Sequence, residues 1–180
     1  MANQHKVKHS GPLGQSMAEF SLALPILLVA LLGLLEVGRA VFMYASVVNA
    51  SREAVRYATA FGVNESDVLQ SHNCAEIRNT AKRVAFLLPL EDENITIEYD
   101  AGPDDAGVIQ PLTGEPECAP DETVDETIEL ACGDRVVVTV TVNYEPIVPI
   151  VPMTAKPFTS TSARTFLGVI ELVDPAAVCN

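Results

Sequence analysis

The side chains that could do chemistry in this chain are few and scattered. Its 180 residues include three histidines, and two of them, His5 and His9, lie in a short basic leader. His72 is the remaining imidazole, and no motif surrounds it. The patterns of serine hydrolases, zinc proteases, P-loops and dinucleotide-binding folds are absent. Because acid–base and nucleophilic catalysis need grouped side chains, we expect neither enzyme activity nor a cofactor.

Four cysteines offer covalent chemistry of another kind. Their number is even, no C-x-x-C pair occurs, and all four follow a long apolar stretch. This pattern favours disulfides in a compartment outside the cytoplasm. Cys118 and Cys132 flank an acidic segment and are expected to close it, which leaves Cys74 to pair with Cys179. Four cysteines allow three pairings, and reduced thiols are the alternative.

Acidic residues dominate the middle of the chain. The net charge is −13, and residues 91–134 hold 15 acids and no Lys or Arg. This balance argues against nucleic acid as a partner, because phosphate backbones are bound by clustered Lys and Arg. The pairs Asp104-Asp105 and Asp121-Glu122 could bind calcium weakly, but no calcium-loop spacing is present. We therefore expect a solvated loop and no metal site, with weak calcium binding as the alternative.

An apolar run near the N-terminus predicts a membrane-spanning helix. Residues 20–35 carry no charge, and with the residues that follow they reach the roughly 20 residues that span a bilayer. Glu36 and Arg39, three residues apart on one helical face, can form an ion pair near the far end of the span. The cysteines beyond the run predict an N-in, C-out orientation. A cleaved signal peptide and a buried core helix are the alternatives.

The residues just before the apolar run have a distinctive order. Gly14 ends the basic leader, Glu19 follows five residues later, and Phe20 begins the run. This order resembles the cleavage site of type IV pilin-like precursors, and the Glu-Phe pair resembles the Tad/Flp branch. Residues 14–62, which include Pro25, resemble the TadE/TadG-like group. The resemblance implies that a prepilin peptidase cuts between Gly14 and Gln15 on the cytoplasmic side.

Glu19 and Phe20 would carry assembly in such a protein. Cleavage frees the α-amine of Gln15, whose ordinary pKa is near 7.7–8.0, and this amine could pair with Glu19 of a neighbouring subunit. A partner is expected because an acid in a membrane helix is unfavourable, by about 2.5–3.5 kcal/mol at the centre and less near the interface. The helix dipole also favours an acid at a helix N-terminus. The alternative is that Glu19 is an ordinary interfacial acid.

Hydrophobic periodicity predicts an α+β fold around these features. The apolar helix continues to about residue 61, where Gly62 ends it, and a second helix spans about residues 74–88 and ends before Pro89. Strands are predicted at residues 94–99, 135–144 and 158–169, which gives a roughly three-stranded antiparallel sheet packed on helix. The predicted domains are a leader (1–14), a transmembrane and extended helix (15–61) and an exported α+β domain (62–180) with an acidic loop (101–134).

Together these features predict a pilin-like minor subunit or assembly component of a Tad/Flp-type pilus. Its partners would be the prepilin peptidase, other pilin subunits or copies of itself, and the lipid bilayer. It would be a single-pass membrane protein or, after assembly, part of an extracellular pilus. The alternative is an uncleaved, single-span, membrane-anchored binding or adhesion protein.

Overall fold

Two α-helices, two short 3-10 helices and five strands form the regular structure of the described residues. The structure is a computed structural model, and it describes residues 13–60, 62–63, 68–104, 106–112, 117–120, 122–124, 130–131, 133–147 and 155–166. In chain order the α-helices and strands are α1 (Leu13–Ala58), α2 (Cys74–Val84), β1 (Ile95–Pro103), β2 (Ile109–Pro111), β3 (Glu117–Cys118), β4 (Arg135–Tyr144) and β5 (Lys156–Thr165). They divide into a helical unit, residues 1–39 and 146–153, and a sheet unit, residues 40–145 and 154–180.

The C-terminal part of α1 belongs to the sheet unit and packs against the sheet with small side chains. Its buried residues recur at helical spacing and form one stripe: Met43, Val47, Ala50, Ser51, Ala54, Val55 and Ala58. At the centre, the Ser51 hydroxyl lies 3.0 Å from the hydroxyls of both Ser160 and Ser162 on β5. Because these side chains are small, the helix backbone can lie close to the strand. One face of the helix therefore faces the core in this segment.

Helix α2 begins as predicted and ends earlier than predicted. The Asn73 side chain accepts a hydrogen bond from the Glu76 amide at 3.0 Å and caps the helix. The helix ends at Val84 rather than near residue 88. Pro89 disfavours a helical conformation at Leu88, and a turn closed by the Leu88 amide on the Ala85 carbonyl follows instead.

An antiparallel sheet with strands of unequal length forms the centre of the sheet unit. Its order is β2-β1-β4-β5, and β3 also pairs with β1. Strand β4 has the bounds predicted from its alternating sequence, and its even-numbered residues are buried as the period of two requires. The core lies on this face, where β1 and β4 contribute Ile95, Ile97, Tyr99, Val136, Val138, Val140, Val142 and Tyr144. The α+β class and the three long antiparallel strands are confirmed.

The acidic segment 101–134, expected to be a loop, contains two short strands. Strand β1 continues to Pro103, and β2 pairs back on it at Pro103↔Ile109. The Asp104 carboxylate accepts hydrogen bonds from the amides of Ala106 at 2.9 Å and Val108 at 2.8 Å, so it closes the turn between the strands. Strand β3 pairs with β1 at Ile97↔Cys118. Strands this short carry too little periodicity to be predicted from sequence.

The disulfide pairing expected from the sequence is wrong. Cys74 is bonded to Cys118, with Cα atoms 5.9 Å apart, so Cys118 does not pair with Cys132 and Cys74 does not pair with Cys179. The reason is the unpredicted strand β3, which places Cys118 in the core beside the first residue of α2. Cys132 and Cys179 lie outside the described residues.

A buried arginine also binds the part of the acidic segment that follows β3. The side chain of Arg78 on α2 is 2% exposed, and it donates to the carbonyls of Cys118 at 2.8 Å, of Glu122 at 2.8 Å and of Ala119. The Thr123 carbonyl also accepts from the Ala75 amide. Together with the disulfide, these bonds hold the middle of the acidic segment, from Cys118 to Thr123, to the first turns of α2.

Candidate functional site

The first candidate for function is the apolar surface of α1 in the helical unit. The helix Gln15–Ala58 is long and apolar enough to cross a membrane. Residues 15–32 are exposed around the whole circumference of the helix, and only 6% of the most apolar stretch is buried. A helix that is apolar on all sides needs lipid or other helices around it. These properties fit a single-pass membrane protein.

The Gly14–Gln15 bond lies in the first turn of α1, because the helix begins at Leu13. The first four amides of a helix have no partner within it, so local opening around this bond disrupts few hydrogen bonds. The Gln15 side chain donates to the Glu19 carboxylate at 3.1 Å. Glu19 lies beyond the first turn, where the helix dipole has weakened. The described partner of Glu19 is therefore the side chain of Gln15.

Glu36 and Arg39 lie together in the helical unit. Arg39 Nη2 donates to Glu36 Oε1 at 2.7 Å, and the Ile147 amide donates to the same oxygen at 3.2 Å. Glu36 is 4% exposed. A buried carboxylate is tolerated only when it is paired and hydrogen-bonded, and these two donors meet that need. The sequence predicted the contact with Arg39, and it carried no signal for the contact with Ile147.

The acidic residues proposed as calcium ligands have other partners where the structure describes them. Asp104 closes the β1–β2 turn, and its second oxygen accepts from Gln110 at 3.0 Å. Glu122 accepts from the Ala119 amide at 3.0 Å. Asp105 and Asp121 lie outside the described residues. Glu122 also lies near the two disulfide sulfurs, but oxidised cysteines supply no thiolate for a metal.

A second ion pair joins β1 and β4 directly across the sheet. Arg135 donates to the two oxygens of Asp100 at 2.7 and 2.8 Å. Hydrogen bonds from Arg135, and more weakly from the Gly102 amide, hold the pKa of Asp100 below its ordinary value despite its burial. Sequence reasoning missed this pair, although Arg135 is the one base in the predicted strand 135–144 and lies at its first position.

One comparison with known proteins gives a match. Residues 14–56 match the family model of TadE-like proteins, which is the group named from the motifs above. The matched range begins at Gly14 and covers Glu19, Phe20, Glu36 and Arg39, and it corresponds closely to α1. The match associates this helix with the Tad pilus group. Searches of curated proteins and of solved structures give no match.

Proposed function

From the match of residues 14–56 to TadE-like proteins, we propose that the chain is a pilin-like minor subunit or assembly component of a Tad/Flp-type pilus. A prepilin peptidase removes the leader after Gly14. The role of the protein is structural rather than catalytic, in keeping with the lack of any nucleophile–base set in the sequence.

The observation that carries this proposal is the uncovered apolar circumference of α1. The same residues that match the family model are exposed from residue 15 to residue 32. A bilayer covers them before assembly, and neighbouring helices cover them in a filament. Contact with lipid and contact with neighbouring helices both require the apolar composition that the helix has.

Processing changes the partner of Glu19. In the intact chain its carboxylate accepts from the Gln15 side chain. Cleavage turns Gln15 into the N-terminal residue and adds a positive α-amine, which is a stronger donor than an amide. The amine of one subunit then pairs with Glu19 of the next and selects the register in which the helices pack.

The N-in, C-out orientation places the sheet unit outside the cytoplasm. The Cys74–Cys118 disulfide supports this orientation, because such bonds persist in oxidising compartments. The leader, with Lys6 and Lys8, stays on the cytoplasmic side, where the peptidase acts.

Complementation of a deletion strain tests the proposal. We expect loss of the gene to reduce Tad-type pili on the cell surface, and the native chain and Glu93→Gln to restore them. Glu93 is the control because it is an exposed acid that lies outside α1. Glu19→Gln keeps the shape and removes the charge, and we expect it to restore less than a tenth of the pili. Normal pili in the deletion strain would contradict the proposal and favour the uncleaved, membrane-anchored binding protein.

A further inference from the structure

A groove on the sheet unit gathers three arginines in a strongly acidic chain. It has a volume of about 770 Å³ and lies between the C-terminal part of α1, the end of α2 at Val84 and the strand β5. Arg52 and Arg56 come from α1, Arg164 comes from β5, and Glu53 is the one acid in the lining. The groove therefore has a net charge of about +2, while the chain has a net charge of −13.

These arginines differ from most other bases in the sheet unit. Three other described bases form ion pairs within the fold: Lys82 with Asp92, Arg83 with Glu76, and Arg135 with Asp100. Arg78 donates to backbone carbonyls instead. Arg56 reaches Glu53 at 3.6 Å with an exposed side chain. Arg52 and Arg164 have no ion-pair partner among the described residues. Like charges four residues apart on a helix repel each other, so an anion in this groove would relieve an unfavourable arrangement.

We propose that the groove binds the acidic segment 121–129 of a second copy of this chain. That segment has five acids in nine residues and no base. Arginine binds carboxylates with paired donors, and Val55, Val84 and Ala163 supply apolar lining for the Val and Ile of the segment. The positive charge of the groove complements the negative charge of segment 121–129, and this complementarity favours binding of the segment and fixes its position along the groove.

The groove and the described residues 122–124 lie at opposite ends of α2 within one copy. Thr123 is held at Ala75, near the start of α2, whereas the groove includes Val84, the last residue of α2. A groove on one copy and an acidic segment on the next make a heterologous, head-to-tail contact, which propagates along an assembly. The contact goes beyond the proposed function and does not depend on cleavage after Gly14.

A peptide-binding assay on the full chain in a neutral detergent tests this contact. The probe is a fluorescent peptide of residues 121–129, and its anisotropy reports binding. We expect saturable binding that weakens as salt is added, and a peptide with amides in place of its acids should not bind. Arg52→Gln and Arg164→Gln should each weaken binding about fivefold, in line with exposed charge pairs, and the double variant more than tenfold.

The matched control is Lys156→Gln. Lys156 lies on the same strand as Arg164, is exposed and is not part of the groove lining, so its loss changes the net charge equally and should leave binding within twofold. An equal effect of Lys156→Gln, or no saturable binding, would overturn the proposal. Phosphatidylglycerol added to the micelles tests a lipid occupant. If the arginine variants lose only that lipid and keep the peptide, the proposal is also overturned.

Charge reversal in intact copies gives an independent measurement. Arg52→Glu/Arg164→Glu copies should not associate with one another through this contact, and neither should Asp125→Lys/Glu126→Lys/Glu129→Lys copies. A mixture of the two should regain association, measured by energy transfer between labelled copies. Failure of the mixture to associate, when the native chain does, would show that another surface is used.

Discussion

Removal of the Cys74–Cys118 bridge should destabilise the sheet unit strongly. The two residues are 44 apart in sequence, and closing a loop of that length in the unfolded chain corresponds to about 4 kcal/mol. Both cysteines are buried, at 0% and 2% exposure, so alanine replaces them without exposing new surface. We expect Cys74→Ala/Cys118→Ala to lower the free energy of unfolding by about that amount.

The assay must report on the sheet unit rather than on the helical unit. The chain has no tryptophan and four tyrosines, all of which lie in the sheet unit, and Tyr99 and Tyr144 are 2% and 1% exposed in the core. Near-ultraviolet circular dichroism of tyrosine in urea therefore follows this unit, while the apolar N-terminal part of α1 stays helical in the micelle. The comparison is best made in a Cys132→Ala/Cys179→Ala background, where only one bridge can form.

Peptide mapping refutes or supports the pairing directly. Digestion with trypsin and a glutamate-specific protease under non-reducing conditions should yield residues 66–76 joined to residues 118–122. A product joining residues 118–122 to residues 130–135 would show that Cys118 pairs with Cys132. That product, or an unchanged unfolding free energy in the double alanine variant, would refute the reasoning about β3 and α2.

Three other changes test the packing of the sheet unit, each by the urea unfolding described above. Arg78→Ala should lower the free energy of unfolding by about 3 kcal/mol, because it leaves buried carbonyls without their donor; a change below 1 kcal/mol would contradict this role. Asp100→Asn should lower it by about 2 kcal/mol at pH 7. Since Arg135 lowers the pKa of Asp100 in the fold, this difference should persist above the ordinary value of about 3.9 and vanish as the pH falls through the folded value. Ser51→Leu should lower the free energy of unfolding by 1–3 kcal/mol through overpacking, and Ser51→Ala by about 1 kcal/mol; equal effects would argue against close packing on β5.

Features with a local cause could be predicted from the sequence. The long apolar helix, the start of α2 and the full extent of β4 follow from composition, a capping residue and strict alternation. Glu36 and Arg39 lie three residues apart, so a helix alone brings them together. The family resemblance likewise depended on a continuous run of residues.

Features that depend on contacts distant in sequence could not be predicted. The disulfide pairing depends on β3, a strand of two residues that is defined only by its pairing with β1. The burial of Arg78 depends on carbonyls some 40 residues away, which no local pattern indicates. The arginine groove brings together residues of α1 and β5. These two elements are far apart in the chain, so the sequence of neither one indicates that the groove forms.

The mature N-terminus is the most direct test of the central claim, that this chain is a processed pilin-like protein. Intact-mass measurement and N-terminal sequencing of the native protein, extracted from cells, should give a chain that begins at Gln15 and lacks the 14 leader residues. A Gly14→Leu variant should keep its leader, because the peptidase cuts after glycine. A native chain that retains Lys6 and Lys8 would contradict the account and leave α1 as a membrane anchor.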